Sequence, residues 1–122
     1  MKYRRFGRTE MMLSQFSLGC MQFTGDSPEE NAIATIERAV ELGVNHIETA
    51  RGYGHSEERV GKALKRILKT VPREKLYITT KIGPSSDVDN FKKHFERSMQ
   101  HLGIDYLDNL DFHGPGSYET LK

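Results

Sequence analysis

Four side chains of different chemical type follow successive short apolar runs in this sequence. They are the carboxylate of Glu48, the phenol of Tyr53, the ammonium group of Lys81 and the imidazole of His113. A free tyrosine hydroxyl has a pKa of about 10, which is too high for ready proton donation at neutral pH. A lysine cation nearby favours the tyrosinate, and a carboxylate keeps that lysine charged and oriented. An imidazole can hydrogen-bond a substrate oxygen, so the set predicts proton transfer coupled to carbonyl chemistry.

The elements that must position these groups begin with three predicted helices. Apolar residues recur at helical spacing after Ser27-Pro28, after Ser56 and after Ser86-Asp87. In the first helix we expect Ser27 to cap the amino terminus, Pro28 to occupy the first turn and Glu30 to reach back to the cap. Gly43 and Gly103 follow the first and third apolar stripes and predict left-handed helix ends.

Short β-rich runs separate these helices. Tyr3–Phe6 and Met11–Ser14 flank the turn signal Gly7-Arg8-Thr9 and predict an amino-terminal hairpin within residues 1–15. The remaining strand candidates are Phe16–Gly19, Val44–Glu48, Leu76–Lys81 and Tyr106–Phe112. After the hairpin the order is β-α-β-α-β-α-β, which predicts right-handed crossovers and a parallel sheet.

Two architectures satisfy this order, an open doubly wound sheet and part of a closed (β/α)8 barrel. The turn after the first strand, Gly19-Cys20-Met21-Gln22-Phe23, lacks the G-x-G-x-x-G spacing that seats a pyrophosphate, which disfavours a Rossmann fold. Chemistry in parallel α/β folds gathers at the carboxyl-terminal edge of the sheet. We therefore expect the four reactive side chains to meet there.

Composition excludes several classes of protein. The chain has 122 residues, a formal net charge of +1 and 36% hydrophobic residues, which fits one domain and argues against a nucleic-acid binder. No run of about 18 apolar residues exists, so no membrane segment is expected. One cysteine, Cys20, excludes an internal disulfide, and the simplest compartment is the reducing cytoplasm.

The remaining titratable residues are predicted to be structural or exposed. His46 is expected to be structural, whereas His55, His94 and His101 fit surface or helix-face positions and give no metal-ligand pattern. Cys20 is expected to pack at the first strand's turn.

Four further polar residues lie near predicted strand and helix ends, and their types and spacing do not point to a particular reaction. Glu57 and Glu58 are expected to be helix-start charges. Asn109 and Asp111 share strand parity with His113, so Asp111 either pairs with Lys81 or lines a hydrated interior.

Motifs along essentially the whole chain, in order and at compatible spacings, resemble the aldo-keto reductase family. The signature after the second barrel strand is matched by Ile47–Gly54, Ser56-Glu57 and Gly61–Leu64. The third strand is matched by Thr79–Lys81 and the fourth by Asp108–Pro115. The hairpin and first strand are matched by Tyr3–Thr9 and Leu18–Met21.

This resemblance implies a (β/α)8 barrel of NADPH-dependent carbonyl reductases, of which residues 1–122 form the amino-terminal half. The chain would then be one partial domain, with the hairpin over residues 1–15 followed by three β-α units and a fourth strand. The resemblance places the catalytic roles on Tyr53, Lys81 and His113, and puts Glu48 where the family usually has aspartate. It also places the nicotinamide end of the cofactor at Gly19-Cys20-Met21, beside Glu48 and Tyr53.

Incompleteness and the Glu48 replacement lead to further expectations. A complete barrel needs about 250 residues, and the family's main site for the adenosine phosphate lies in the half that is missing here. The isolated chain is therefore expected to fold poorly or self-associate and to lack activity on small carbonyl substrates. A catalytically silent binding or regulatory subunit is the alternative, because Glu48 alters the group that orients Lys81. A half-barrel that dimerises is a third, less favoured hypothesis.

Overall fold

Six strands form a hairpin and a parallel sheet in the computed structural model, which describes residues 1–119. The hairpin pairs β1 (Tyr3–Arg5) with β2 (Met12–Ser14) in antiparallel register, as the sequence predicts. The sheet contains β3 (Leu18–Gly19), β4 (His46–Glu48), β5 (Tyr77–Ile82) and β6 (Asn109–Phe112). These four strands are parallel and adjacent in sequence order, without the reversal that a doubly wound sheet contains.

Three helices connect the parallel strands. They are α1 (Glu29–Glu41), α2 (Ser56–Ile67) and α3 (Val88–Leu102), with a short 3-10 turn over Arg73–Lys75 before β5. Consecutive helices pack on each other, α1 on α2 and α2 on α3, so they form one layer on one face of the sheet. None of the helices within residues 1–119 has both the length and the apolar character that crossing a membrane requires.

The hydrophobic core lies between this helix layer and the outer face of the sheet. Ile47 and Ile78 are aligned on neighbouring strands and are fully buried in a cluster with Ile36, Val60 and Leu64 from the helices. Because side chains alternate along a strand, the residues next to these isoleucines point to the opposite, inner face. The inner face is polar and carries His46, Glu48, Thr79, Lys81, Asn109 and Asp111.

The hairpin is attached to the amino-terminal end of the sheet through Asn45. The Asn45 side chain accepts a hydrogen bond from the Ser14 backbone N–H at 2.7 Å and donates one to the Met12 carbonyl at 2.9 Å. The Tyr3 hydroxyl donates to the Gly43 carbonyl at 2.9 Å. The hairpin therefore does not cover the opposite, carboxyl-terminal edge of the sheet, where the predicted reactive side chains lie.

The predicted cap of α1 is wrong. No side chain caps this helix, which begins at Glu29 after Pro28. Ser27 instead accepts hydrogen bonds from Arg59 of α2, 3.3 Å at its hydroxyl and 2.8 Å at its carbonyl. Glu30 does not reach back either, since its carboxylate accepts two hydrogen bonds from Arg66. Charged donors from α2 thus replace the local capping pattern with contacts between helices.

The other helix ends agree better with the sequence. The Asp87 side chain caps α3 by accepting a hydrogen bond from the Asn90 N–H at 3.1 Å, and Gly103 ends that helix with a φ of +64°. Gly43, after α1, has a φ of +94°. Helix α2 begins at Ser56 as predicted, although the Ser56 hydroxyl bonds to Thr49 and to the Cys20 carbonyl.

Gly61 sets the distance between α2 and α3. A Cβ atom at this position would lie 2.2 Å from the His101 carbonyl oxygen and 3.0 Å from that of Leu102. Both neighbours are backbone atoms at the end of α3, so no side-chain rotation can relieve the contact. The absence of a side chain at residue 61 is therefore what allows the two helices to pack this closely.

Replacing Gly61 with alanine is expected to lower the free energy of unfolding by about 1–3 kcal/mol, as overpacking typically does. The loss is expected although alanine favours a helix by about 1 kcal/mol over glycine. Urea denaturation of the full-length protein, followed by circular dichroism, measures the change in stability. Gly116→Ala is the matched control, because a Cβ there meets nothing within 4 Å. Equal stability of the two variants would show that α3 simply moves aside.

Candidate active site

The Lys81 ammonium group is the centre of the site at the carboxyl-terminal edge of the sheet. Its Nζ donates hydrogen bonds to the Tyr53 hydroxyl at 3.1 Å and to the Thr49 carbonyl at 3.2 Å. It also forms an ion pair with the Glu48 carboxylate. A lysine ammonium has three N–H donors, so these three acceptors match its full hydrogen-bonding capacity. The group is thereby fixed in position and direction.

The Tyr53 hydroxyl is oriented by this arrangement. A lysine ammonium has donors and no acceptor, so the Tyr53 oxygen must be the acceptor of the bond from Lys81. The hydroxyl proton of Tyr53 therefore remains available for an acceptor on the open side of the site. The Lys81 Nζ also lies 4.6 Å from the centre of the Tyr53 ring, which keeps the cation against the phenol.

His113 lies on the other side of Tyr53. The two rings meet edge to face, with centroids 5.3 Å apart and planes at 88°. The His113 backbone N–H donates to the Ile82 carbonyl at 2.8 Å, which extends the pairing of β5 and β6 by one residue. Gly52 lies against the imidazole, since a Cβ there would be in ordinary van der Waals contact with the His113 Nδ1 at 3.8 Å. The imidazole and the phenol are thus direct neighbours at this edge of the sheet.

Backbone hydrogen bonds to β5 beyond the end of β4 position the loop that contains Tyr53 beside Lys81. The Thr49 N–H donates to the Thr79 carbonyl and the Arg51 N–H donates to the Lys81 carbonyl, each at 2.9 Å. The chain then turns, and the Tyr53 N–H donates to the Ala50 carbonyl at 3.1 Å. The segment between Glu48 and Tyr53 is consequently held along β5 rather than left as a free loop.

Partial burial makes Lys81 dependent on its acidic neighbours. Its side chain is 18% exposed, and that of Glu48 is 26% exposed. Burial lowers the pKa of Lys81 below its usual value, and the negative charge of Asp111 opposes that shift. Attraction between opposite charges is stronger where water is partly excluded. The Glu48 carboxylate therefore stabilises the charged form of Lys81 more than it would on an exposed surface.

Glu57, which the resemblance places near the site in the Ser56-Glu57 pair, has buried contacts that the expectation of a helix-start charge did not include. It is 1% exposed, and its Oε1 accepts a hydrogen bond from the Thr80 hydroxyl at 2.7 Å. Its Oε2 lies 3.6 Å from Arg51 Nη1 and 3.7 Å from His101 Nδ1. Both Glu57 and Glu58 lie in the first turn of α2, as expected, but Glu57 is buried whereas Glu58 is partly exposed. Spacing gives the missing signal, because Glu57 lies three and seven residues before the buried Val60 and Leu64 of the same helix.

A cleft of about 560 Å³ opens beside His113. It is lined by the loops after β4 and β5 and by the start of α3, and its polar lining residues are Arg51, Ser85, Asn90, His94 and His113. The prediction that His94 is a surface residue is confirmed, since it is exposed, but it also faces this cleft. The volume of the cleft leaves room for a small molecule beside the imidazole.

The three residues predicted to contact the cofactor at the end of β3 differ in their location and exposure. Gly19 lies on the inner face, where an added Cβ would be 3.7 Å from the Glu48 Oε2, and Met21 is 52% exposed. The Cys20 side chain is fully buried in the core, and burial raises its pKa to about 12. Its N–H donates to the Glu48 carbonyl, and its carbonyl accepts from Ser56. The structure thus brings Gly19 and Met21, but not the Cys20 thiol, to the open edge.

His46 lies deeper on the inner face, away from this edge. Its Nδ1 is 2.7 Å from the Ser17 hydroxyl and its Nε2 is 2.9 Å from the Thr79 hydroxyl. Burial lowers the pKa of His46, with the nearby charges of Asp111 and Asp108 acting in the opposite direction. It therefore serves the packing of the sheet, as predicted. Within residues 1–119 no group of three or more histidine, cysteine, aspartate or glutamate residues is arranged to hold a metal ion.

Comparison with known proteins identifies relatives of this arrangement. The chain is 37% identical over 109 residues to the NAD/NADP-dependent indole-3-acetaldehyde reductase of Schizosaccharomyces pombe, a match that covers 88% of this chain and 37% of that protein. It is 32% identical to the NADH-specific methylglyoxal reductase of Escherichia coli, covering 88% of this chain and 40% of that protein. The chain thus spans well under half the length of these curated relatives.

Solved structures and the family model agree with these relatives. A thermostable aldo-keto reductase crystallised with the inhibitor epalrestat superposes with a TM-score of 0.84 at 31% identity, covering 98% of this chain and 44% of that chain. The fold is accordingly part of the (β/α)8 barrel of these enzymes, and the doubly wound alternative is excluded. The model of the aldo/keto reductase family matches residues 15–121. The chain belongs to the aldo-keto reductase family of oxidoreductases.

Proposed function

We propose that this chain supplies the catalytic edge of an NADPH-dependent reductase that converts the carbonyl group of a small aldehyde or ketone to an alcohol. The observation that carries the proposal is the hydrogen bond from Lys81 to the Tyr53 hydroxyl, 3.1 Å long, in an ammonium group that Glu48 and Thr49 also hold. This geometry leaves the tyrosine proton as the one that a substrate oxygen can take.

Each side chain has a defined part in the proposed reaction. Tyr53 donates its proton to the carbonyl oxygen, and the adjacent Lys81 ammonium stabilises the phenolate that remains. Glu48 keeps the ammonium group charged and directed at the phenol. His113, whose ring lies against Tyr53, hydrogen-bonds the substrate oxygen and fixes its position.

The residues at the end of β3 fit a flat cofactor ring. Gly19 carries no side chain where the inner face meets Glu48, so a planar group can approach the Tyr53–Lys81 pair from that side. Gly19, Met21, Glu48 and Tyr53 would hold the nicotinamide end, with Cys20 contributing only the shape of the turn. A reduced nicotinamide bound there supplies the hydride. NADPH is the choice that the family resemblance implies. NADH is its competitor, because one relative is named NAD/NADP-dependent and the other NADH-specific.

Tyr53→Phe in the full-length protein is expected to reduce carbonyl turnover by roughly 10²–10⁴-fold, because the proton donor is removed. Cofactor oxidation with a panel of aldehydes measures the turnover, and quenching of NADPH fluorescence shows that cofactor binding is retained. Tyr106→Phe is the matched control, since the Tyr106 ring packs under Arg73 rather than at the site. Retained turnover in Tyr53→Phe would refute the assignment of the proton donor.

Glu48→Gln tests whether the glutamate has the role that aspartate usually has in the family. Loss of a charged hydrogen-bond partner costs about 1.5–3 kcal/mol, which corresponds to a fall in kcat/KM of roughly 10- to 100-fold. Glu48→Asp keeps the charge and should lose less activity, and the exposed Glu74→Gln should lose none. If the unmodified full-length protein binds NADPH tightly without any turnover, the silent regulatory subunit replaces the enzyme as the better hypothesis.

Residues 1–122 produced alone are expected to show no reductase activity. Within residues 1–119, β3 and β6 each lack a partner strand on one side, and Leu110 and Phe112 are 38% and 52% exposed on the outer face. Unpaired edges and exposed apolar side chains favour self-association. Size-exclusion chromatography with light scattering and an NADPH oxidation assay check both points. A cooperatively folded monomer that turns over NADPH would contradict this expectation.

A further inference from the structure

A row of hydrogen-bonded polar side chains crosses the inner face below the site. The Thr79 hydroxyl, 2.9 Å from His46 Nε2, lies 3.5 Å from the Asn109 amide nitrogen. The same Asn109 amide group donates to the Asp111 carboxylate at 2.8 Å. The row therefore ends at a carboxylate on β6 whose direction is set by its neighbour. The function proposed above gives no part to either Asn109 or Asp111.

Asp111 lies directly beside Lys81 in the sheet. The two residues are aligned as Cα partners in the parallel pairing of β5 and β6. Aligned residues of adjacent strands project to the same face, so Asp111 shares the inner face with Lys81. Strand β4 pairs with the other edge of β5, and its residue Glu48 forms an ion pair with Lys81. Lys81 is thus flanked by a carboxylate from each neighbouring strand.

We propose that Asp111, held by Asn109, is a positioning residue that gives the Lys81 ammonium group a second counter-charge. This inference rests on the proposed function for its catalytic meaning, because Lys81 acts there on the phenol of Tyr53. Glu48, Thr49 and Tyr53 match the three N–H donors of the ammonium group, so Asp111 acts through its charge and not through a direct hydrogen bond.

The negative charge of Asp111 affects the pKa values of two neighbouring groups. Its carboxylate acts to raise the pKa of Lys81 and also that of His46, in each case against the lowering caused by burial. The other ionisable groups around Lys81 are Glu48 from β4, Tyr53 and His113 from the loops, and Cys20 after β3. Among the described residues, Glu48 and Asp111 are thus the two carboxylates around Lys81, and Glu48 is the one that forms an ion pair with the ammonium group.

The sign of the effect follows from charge. A carboxylate stabilises the protonated amine, so its removal makes Lys81 lose its proton at a lower pH. A neutral amine no longer supplies the cation that stabilises the phenolate. Because Asp111 is exposed, salt should screen the effect, whose range is about 30 Å at 0.01 M ionic strength and about 3 Å at 1 M.

The test is an NMR titration of the Lys81 side chain in full-length protein with 13C-labelled lysine, assigned by the loss of its signal in Lys81→Met. Asp111→Asn is expected to move the Lys81 titration to lower pH, and the shift should shrink in 1 M salt. Asp111→Glu, which keeps the charge, should leave the titration near that of the unmodified protein. Asn109→Ala should give a smaller shift in the same direction, because the carboxylate is then less well held.

Asp105→Asn is the matched control, since it removes the same charge from the exposed segment that precedes β6. An unchanged Lys81 titration in Asp111→Asn, or an equal shift in Asp105→Asn, overturns the proposal. The amide spectrum of each variant shows whether its fold is intact, and Asp111→Glu covers the case in which the asparagine variant unfolds. Absence of carbonyl turnover in the unmodified protein would remove the proposed function, whereas the measured coupling of Asp111 to Lys81 would stand.

Discussion

A partly buried ammonium group must find acceptors for all of its N–H donors, and at Lys81 this requirement joins three pieces of chain. The acceptors are a carboxylate at the end of β4, a backbone carbonyl one residue later and a phenol in the following loop. Losing any of them would leave a charged donor short of a partner in a poorly hydrated place, which proteins tolerate badly. The contacts that pair the N–H donors of Lys81 are therefore also the contacts that orient the Tyr53 hydroxyl.

Parallel pairing supplies the frame for this set. Strands β4, β5 and β6 end at one edge, and backbone bonds from Thr49 to Thr79 and from Arg51 to Lys81 continue the pairing past the end of β4. Behind this segment, the buried Glu57 ties the loop to β5 through Arg51 and Thr80. The helix layer therefore does more than cover the core, because α2 also supplies the carboxylate that braces the back of the site.

The order of elements and the convergence of the four reactive side chains were predictable from the sequence. Both depend on local patterns, since apolar spacing identifies the strands and a parallel sheet then brings their ends together. The Ser27 cap and the place of Glu57 were not predictable in this way. Each was decided by a partner far along the chain, Arg59 for Ser27 at 32 residues and Thr80 for Glu57 at 23 residues. The hydrogen bond between Asn109 and Asp111 likewise depends on side-chain directions that strand parity alone does not give.

The burial of Cys20 has a consequence for chemical durability. Sulfur reacts with peroxides and other electrophiles as the thiolate, and a thiol with a pKa near 12 in a closed apolar cluster has almost none of that form at neutral pH. The turn after β3 therefore contains the chain's one cysteine in an inert form. Oxidising conditions that disable enzymes with exposed low-pKa thiols would leave the Cys20 thiol chemically unaltered.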